Sequence, residues 1–280
     1  MSNISRTPYD SYGEPAPRMV FPRPTPMVRR LLLITALAFV GQYFVGWATD
    51  EGWINEYLGL APRTWGQLFP FLPVWQLVTY GFLHDTHSLM HLLWNLVLLY
   101  FFGTMLEGIL GAQKFLIVYL SAMLAGAALH LVAEPLFGNG LPAIGASGAV
   151  LGVMIACAVL QPNATVILLF VPIPLKWLAT GLVALDLFGL LESWRSGLGS
   201  FVAHYVHLGG AAYGFLAARR RWIWLDPIQQ VQSRRAAAVA EQRVNDEQRM
   251  DDLLGKIHRE GLGALSRREK EFLKRMSKRR

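Results

Sequence analysis

Six apolar runs, at about 28–47, 87–107, 113–133, 147–161, 175–191 and 201–218, dominate the chain. Each comes near the roughly 20 residues that a helix needs to cross a bilayer. In hydrocarbon every backbone N–H and C=O must be satisfied within the chain, so runs of this kind form helices of a bundle. With 53% hydrophobic and 16% charged residues in 280 positions, the composition fits a multi-pass membrane protein better than a soluble domain. The predicted fold class is an all-α membrane protein of six transmembrane helices. The runs that start at Ser147 and end near Leu191 are short, which suits helices buried in a bundle and opening on a cavity.

Charge sets the orientation. Of the 26 Lys and Arg, 17 lie from Arg219 onward and five precede Leu31. The N-terminal arm, Lys114, Lys176 and the tail then share one side, and the opposite loops carry only Arg63 and Arg195. This predicts a cell-membrane protein with both termini cytosolic, whose partner is the lipid bilayer. The basic residues are juxtamembrane, so no nucleic acid partner is expected. Cys157 is the single cysteine, which excludes an intrachain disulfide and a cysteine-based metal site.

Three segments are expected: 1–28 as a flexible, proline-rich cytosolic arm, 29–218 as the six-helix membrane domain, and 219–280 as a basic linker with a cytosolic helical tail. The run after Arg29-Arg30 lacks a small-residue cleavage site and reads as a retained anchor. Between about 48 and 86, Trp53, Tyr57, Trp65, Trp75 and Tyr80 suggest a partly helical lobe at headgroup level. Residues 165–174 have β-like character and two prolines that delay the next helix to Leu175. In the tail, about 234–280 reads as a small soluble helical hairpin. It is broken at Gly261 and Gly263 and restarted by a Ser266/Glu269 capping box.

Polar residues inside the apolar runs are functional candidates. His87, His91 and Asn95 recur every four residues and so share a helix face. Three readings stand open for this stripe: oxyanion stabilisation by His91 and Asn95, metal binding through His84-x-x-His87-x-x-x-His91, or histidines facing water at a helix mouth. Ser147 opens an apolar helix between Gly145 and Gly148, where free backbone N–H groups would face any carbonyl it attacks. A plain N-cap serine is the competing reading. His207, Gly210 and Gly214 share a face of the last run, and Gly148-x-x-x-Gly152 is a matching small-residue stripe. If the stripes meet, Ser147 and His207 meet as nucleophile and base. His204, a turn earlier, reads as a rim residue.

Gly145-Ala146-Ser147-Gly148, His91-Leu-Leu-Trp-Asn95, Gly103-Thr-Met-Leu-Glu107 and Ala203-His204-Tyr-Val-His207-Leu-Gly-Gly210 together resemble the rhomboid intramembrane serine proteases, of the bacterial type with an extra C-terminal helical tail. The resemblance covers about Val74 to Ala218. It implies a six-helix rhomboid-like bundle and a bacterial inner-membrane location. The catalytic pair would be Ser147 and His207, with an oxyanion site of His91, Asn95 and the Ser147 N–H. Glu107, Gly145, Gly148, Leu151, Gly210 and Gly214 give structural support. Neither cofactor nor metal is implied, and the substrates would be transmembrane or membrane-tethered proteins cut near the outer membrane face. A dyad leaves Asp186 a structural pairing role. Two departures stand out: Gln76 follows Trp75 where the family often has Arg, and Leu151 replaces an aromatic that would stack on the imidazole. A non-catalytic scaffold that binds transmembrane helices is the alternative function.

Overall fold

Proline begins the first helix. Pro26 lies in the first turn of α1 (Pro26–Ala48), where its missing N–H would have had no helical acceptor in any case. The remaining free donors there are taken by a distant carboxylate. Met27 and Val28 N–H donate to Glu107 Oε1 and Oε2 at 3.0 and 2.9 Å, and the Thr25 hydroxyl donates to Oε2 at 2.5 Å. An anion at a helix N-terminus is favourable, so Glu107 ties α1 to the helix that carries the His91 stripe. The computed structural model describes residues 23–49, 51–138, 141–168, 171–196, 202–224 and 227–277. They fall into two compact units, one up to Trp224 and one from Leu225 on.

After α1 comes the lobe expected from its aromatics: α2 (Glu51–Tyr57), α3 (Pro62–Gln67), α4 (Gln76–Thr79) and a 3₁₀ turn, Tyr80–Phe82. Gln76 is its fully buried hub. Its Oε1 accepts from Ala61 N–H and Trp65 Nε1–H at 3.2 and 3.0 Å, and its Nε2 donates to the Glu56 carbonyl at 2.8 Å. The amide thus does the loop-bonding work that the Trp75-Gln76 departure put in question. Leu60 and Ala143 exchange both backbone hydrogen bonds at 2.9 Å, and Gly145 N–H donates to the Tyr80 carbonyl at 2.9 Å. The lobe therefore fixes the strand-like segment just ahead of Ser147.

The His91 stripe lies on α5 (Leu89–Leu98), which runs through a π-helical turn, Leu99–Gly103, into α6 (Thr104–Leu110). Then come α7 (Ala112–Phe137), α8 (Ser147–Leu160), a two-stranded antiparallel hairpin, α9 (Leu175–Ser196) and α10 (His204–Arg219). The hairpin, β1 (Thr165–Leu168) and β2 (Val171–Pro174), pairs Thr165 with Pro174 and Leu168 with Val171, as the β-like composition suggests. Among the described residues three helices are long and apolar enough to cross a membrane: Pro26–Ala48, Leu89–Leu110 and Ala112–Phe137. Ser147–Leu160 is apolar but shorter, with ten of its 14 residues buried. It is the centre of the core.

The second unit consists of α11 (Pro227–Glu260), a 3₁₀ turn and α12 (Arg267–Ser277), closed around Leu253, Leu265 and Phe272. Gly261, at φ +82°, ends α11 in the left-handed region that favours glycine. The capping box forms: Ser266 N–H donates to Glu269 Oε2 at 2.6 Å and Glu269 N–H to Ser266 Oγ at 3.4 Å. The Ser266 backbone N–H, then its hydroxyl and Lys256, hold the Glu269 carboxyl down at about 2. The hairpin's first helix is longer than expected, beginning at Pro227 rather than near 234.

Candidate active site

Ser147 is the first residue of α8, and Ala146 occupies the cap position without a side-chain cap bond. The N-cap reading of the serine therefore fails. Its hydroxyl is engaged elsewhere, at 2.6 Å from His207 Nε2. By helix geometry the first N–H groups of α8 have no intrahelical acceptor. Gly145 just upstream has φ +118°, and a Cβ there would stand 2.8 Å from His91 Nε2. Glycine is needed both for that backbone and to admit the His91 ring next to Ser147.

The two glycine stripes do meet. A Cβ on Gly210 would lie 2.0 Å from the Gly148 carbonyl oxygen, and one on Gly214 would lie 2.0 Å from that of Gly152. No side chain fits, so α8 and α10 touch backbone to backbone, and His207 is carried onto Ser147 by that contact. A third close approach joins α7 to α10: a Cβ on Gly209 would lie 2.7 Å from the Ala125 carbonyl oxygen. Three helices thus converge where the imidazole sits. Leu151 lines the same cavity as Ser147 and His207.

On α5, His91 Nδ1 accepts the Asp85 N–H at 3.4 Å. In the neutral ring the proton is then on Nε2, the nitrogen that faces Gly145 and Ser147. Asn95, 4% exposed, donates one amide hydrogen to the His91 carbonyl at 2.8 Å and retains a second donor on the cavity wall. The three histidines of the metal reading do not gather at one point: the His84 and His91 rings are neighbours, with centroids 5.1 Å apart, but His87 stands away from them. His84 is fully buried and His87 is exposed beside Asp85, while His91 points to Gly145. The peptide N–H of His84 donates to Gln42 Oε1 at 3.0 Å. Burial, and then the neighbouring His91, push the His84 imidazole down to about 4, so it is neutral at physiological pH.

Asp186, on α9, closes the far side of the imidazole. His207 Nδ1–H donates to both its carboxylate oxygens at 2.9 Å, and His204 Nδ1–H donates to Oδ1 at 2.6 Å. His204 is therefore not at the rim: it is 8% exposed, with its ring over Gly189, where a Cβ would come within 2.6 Å. Asp186, His204 and His207 are also the one group among the described residues whose ligand atoms lie close enough together to hold a metal ion. The signal for His204 was available, since residues three apart on a helix share a face with each other. His130 and Glu134, on α7, were missed altogether. Both line the cavity, and their side chains approach to 4.0 Å.

The cavity over these groups measures about 970 Å³, with Ser147, His207, His91, Asn95 and Asp186 on its walls. A hydroxyl, an imidazole and a carboxylate in line, set among apolar helices, mark a helical membrane protein with a polar constellation inside its bundle. The chain belongs to the rhomboid family, whose Rhomboid domain matches residues 72–222. Residues 238–279 match a second family, described as one of unknown function.

Curated relatives include the mitochondrial presenilin-associated rhomboid-like protein of Rattus norvegicus, 31% identical over 142 residues, which are 49% of this chain and 36% of the relative. The mitochondrial RHOMBOID-like protein 12 of Arabidopsis thaliana is 32% identical over 159 residues, 51% of this chain and 45% of the relative. The mitochondrial Rhomboid protein 1 of Saccharomyces cerevisiae is 35% identical over 130 residues, 45% of this chain and 36% of the relative. The chain spans less than half the length of each. These relatives overturn the expected bacterial cell-membrane location, and with it the cytosolic assignment of the termini, since all three are mitochondrial proteins. Charge asymmetry ranks the two sides of a membrane but does not name the membrane, which is why the expectation failed. Nor do they support a bacterial type.

Proposed function

We propose that the chain is an intramembrane serine endopeptidase that cuts transmembrane or membrane-tethered proteins near the membrane face on which the N-terminus of α8 opens. The observation that carries this reading is the 2.6 Å contact between Ser147 Oγ and His207 Nε2 on the wall of a largely apolar cavity that also exposes His91, Asn95 and Asp186. Ser147 Oγ bonds to the scissile carbonyl carbon as its proton passes to His207 Nε2. The carbonyl oxygen takes the negative charge and is met by the α8 N–H groups, the Asn95 amide and His91 Nε2–H. Collapse breaks the C–N bond, and the imidazolium gives its proton to the leaving amine. Water, deprotonated by His207, then hydrolyses the acyl-enzyme.

The bundle is proposed to have six spans, the three long ones with α8, α9 and α10 completing it around the cavity. A substrate helix hides its carbonyls in its own hydrogen bonds, so segments weakened by small residues or proline are the expected targets. The scaffold alternative, which binds transmembrane helices without cutting them, has no use for a serine and an imidazole in hydrogen-bond contact. The test is cleavage of a model transmembrane substrate by the purified full chain. Ser147→Ala and His207→Ala should each abolish cleavage with helix content intact, and Asn95→Ala should lower it by about 10²–10³-fold. Turnover by folded Ser147→Ala would refute the serine mechanism.

A further inference from the structure

A two-residue machinery leaves one question open in this site, namely what keeps the His207 ring in the tautomer that can accept a proton from Ser147. Imidazole carries its neutral-state proton on either nitrogen, and only the form with bare Nε2 can act as base toward Oγ. A carboxylate accepts and does not donate, so the 2.9 Å contacts of Asp186 Oδ1 and Oδ2 require the proton on Nδ1. Across the ring, Nε2 faces Ser147 Oγ at 2.6 Å. The geometry therefore selects the productive tautomer and places an anion where the imidazolium forms.

The carboxylate is itself held. His204 Nδ1–H donates to Asp186 Oδ1 at 2.6 Å, and its ring occupies space left by Gly189, three residues beyond Asp186 on the same helix. A side chain at 189 would displace that ring: its Cβ would be 2.6 Å from His204 Cε1 and 2.8 Å from Nε2. His204 and His207, three apart on α10, present both donors to one carboxylate, whose two oxygens have lone pairs for all of them.

We propose that Asp186 is a positioning residue for the Ser147–His207 pair, fixing the His207 tautomer and stabilising the imidazolium, and that His204 over Gly189 holds the carboxylate in place. The proposal rests on the reading of Ser147 and His207 as nucleophile and base. It extends that pair to a relay of four side chains running from α8 through α10 to α9.

The experiment compares wild type, Asp186→Asn, Asp186→Glu and His204→Gln as purified full chains cleaving a transmembrane substrate. Asparagine can still accept from the imidazoles, so a merely structural bridge predicts near-normal turnover. A positioning role predicts a fall in kcat on the order of 10²–10⁴-fold at little changed KM, because the amide can also donate to Nδ1 and stabilise the wrong tautomer. Asp186→Glu should recover part of the loss, and His204→Gln should lower kcat about tenfold. Folded Asp186→Asn with wild-type kcat would overturn the proposal.

Should that variant not fold, nitrogen NMR of the imidazoles in the wild-type chain decides. A protonated Nδ1 and bare Nε2 on His207 are expected, and the opposite tautomer would overturn the proposal. Failure of the hydrolase reading looks different: a folded wild type that neither cleaves substrate nor reacts at Ser147 refutes both. A reactive wild type beside a fully active Asp186→Asn refutes only the role given to Asp186.

Discussion

Two of the three helices that flank α10, namely α8 and α9, hold it in opposite ways. Against α8 the contact is backbone to backbone, with Gly148 and Gly152 under Gly210 and Gly214 and ten of the 14 residues of α8 buried. Against α9 the contact is sparser, a small apolar cluster of Leu190 with Tyr205 and Leu208 beside a set of hydrogen bonds. Only Leu175, Ala179 and Leu190 of its 22 residues are buried, and its bonds to α10 include those of Asp186 with both histidines and of Trp194 Nε1–H to the Tyr205 hydroxyl at 2.9 Å. The nucleophile and base thus sit on a seam that tolerates no added atom. The carboxylate arrives on a helix anchored mostly through side chains. Packing fixes the reacting pair, and hydrogen bonds fix what tunes it.

Breaking the seam should have the largest effect. Gly210→Ala puts a methyl group 2.0 Å from a backbone oxygen that has no room to retreat, so the helices must separate. A thermal melt of the purified variant should show a large loss of stability, and cleavage should vanish with it. A stable, active Gly210→Ala would mean that α8 and α10 do not meet at these glycines. On the α9 side the expected changes are smaller. Trp194→Phe removes one hydrogen bond, worth about 1 kcal/mol, and should reduce turnover several-fold without unfolding the protein. An effect as large as that of Gly210→Ala would erase the contrast between the two contacts.

The lobe offers a pH test outside the seam. His84 titrates at about 4 when folded against an ordinary 6.5, chiefly through burial, so the unfolded chain binds its proton first. The stability that comes from keeping this ring neutral is complete above pH 6.5 and is lost as pH falls toward 4. The melting temperature of wild type should therefore drop more steeply across that window than that of His84→Gln; parallel slopes would show that the ring is not the group responsible. Smallest of all should be Gly181→Ala on α9. Nothing lies within 4 Å of the added methyl, and the gain in helix propensity is about 1 kcal/mol or less. A measurable loss of stability there would reveal a neighbour of α9 that the fold does not account for.

The seam was legible in the sequence because its cause is local. Glycines four apart on two apolar runs announce a close approach, and a serine and a histidine beside those stripes are carried with it. The capping box of Ser266 and Glu269 was legible for the same reason, being a short pattern with a fixed geometric outcome, whereas the tie made by Glu107 was implied by the family resemblance alone. The α9 side was not. An intramembrane carboxylate must find partners, but sequence does not say which, so Asp186 could be read only as paired. His204 was assigned to the rim although its spacing from His207 puts both on one face. Gln76 looked like a loss of loop bonding because an amide was weighed against a missing guanidinium, and only the folded lobe reveals how its two ends are used. The first family resemblance also carried a membrane location that the mitochondrial relatives contradict.

The central claim is that the seam makes Ser147 a nucleophile by setting it against His207. A fluorophosphonate probe reads this directly, since it bonds to an activated serine oxygen and the modified peptide can be found by mass spectrometry. The account predicts labelling of the folded wild-type chain at Ser147, none in Ser147→Ala, and a rate at least about 10²-fold lower in His207→Ala, where the base is gone. A folded wild type that stays unlabelled, or His207→Ala labelled as fast as wild type, would contradict it.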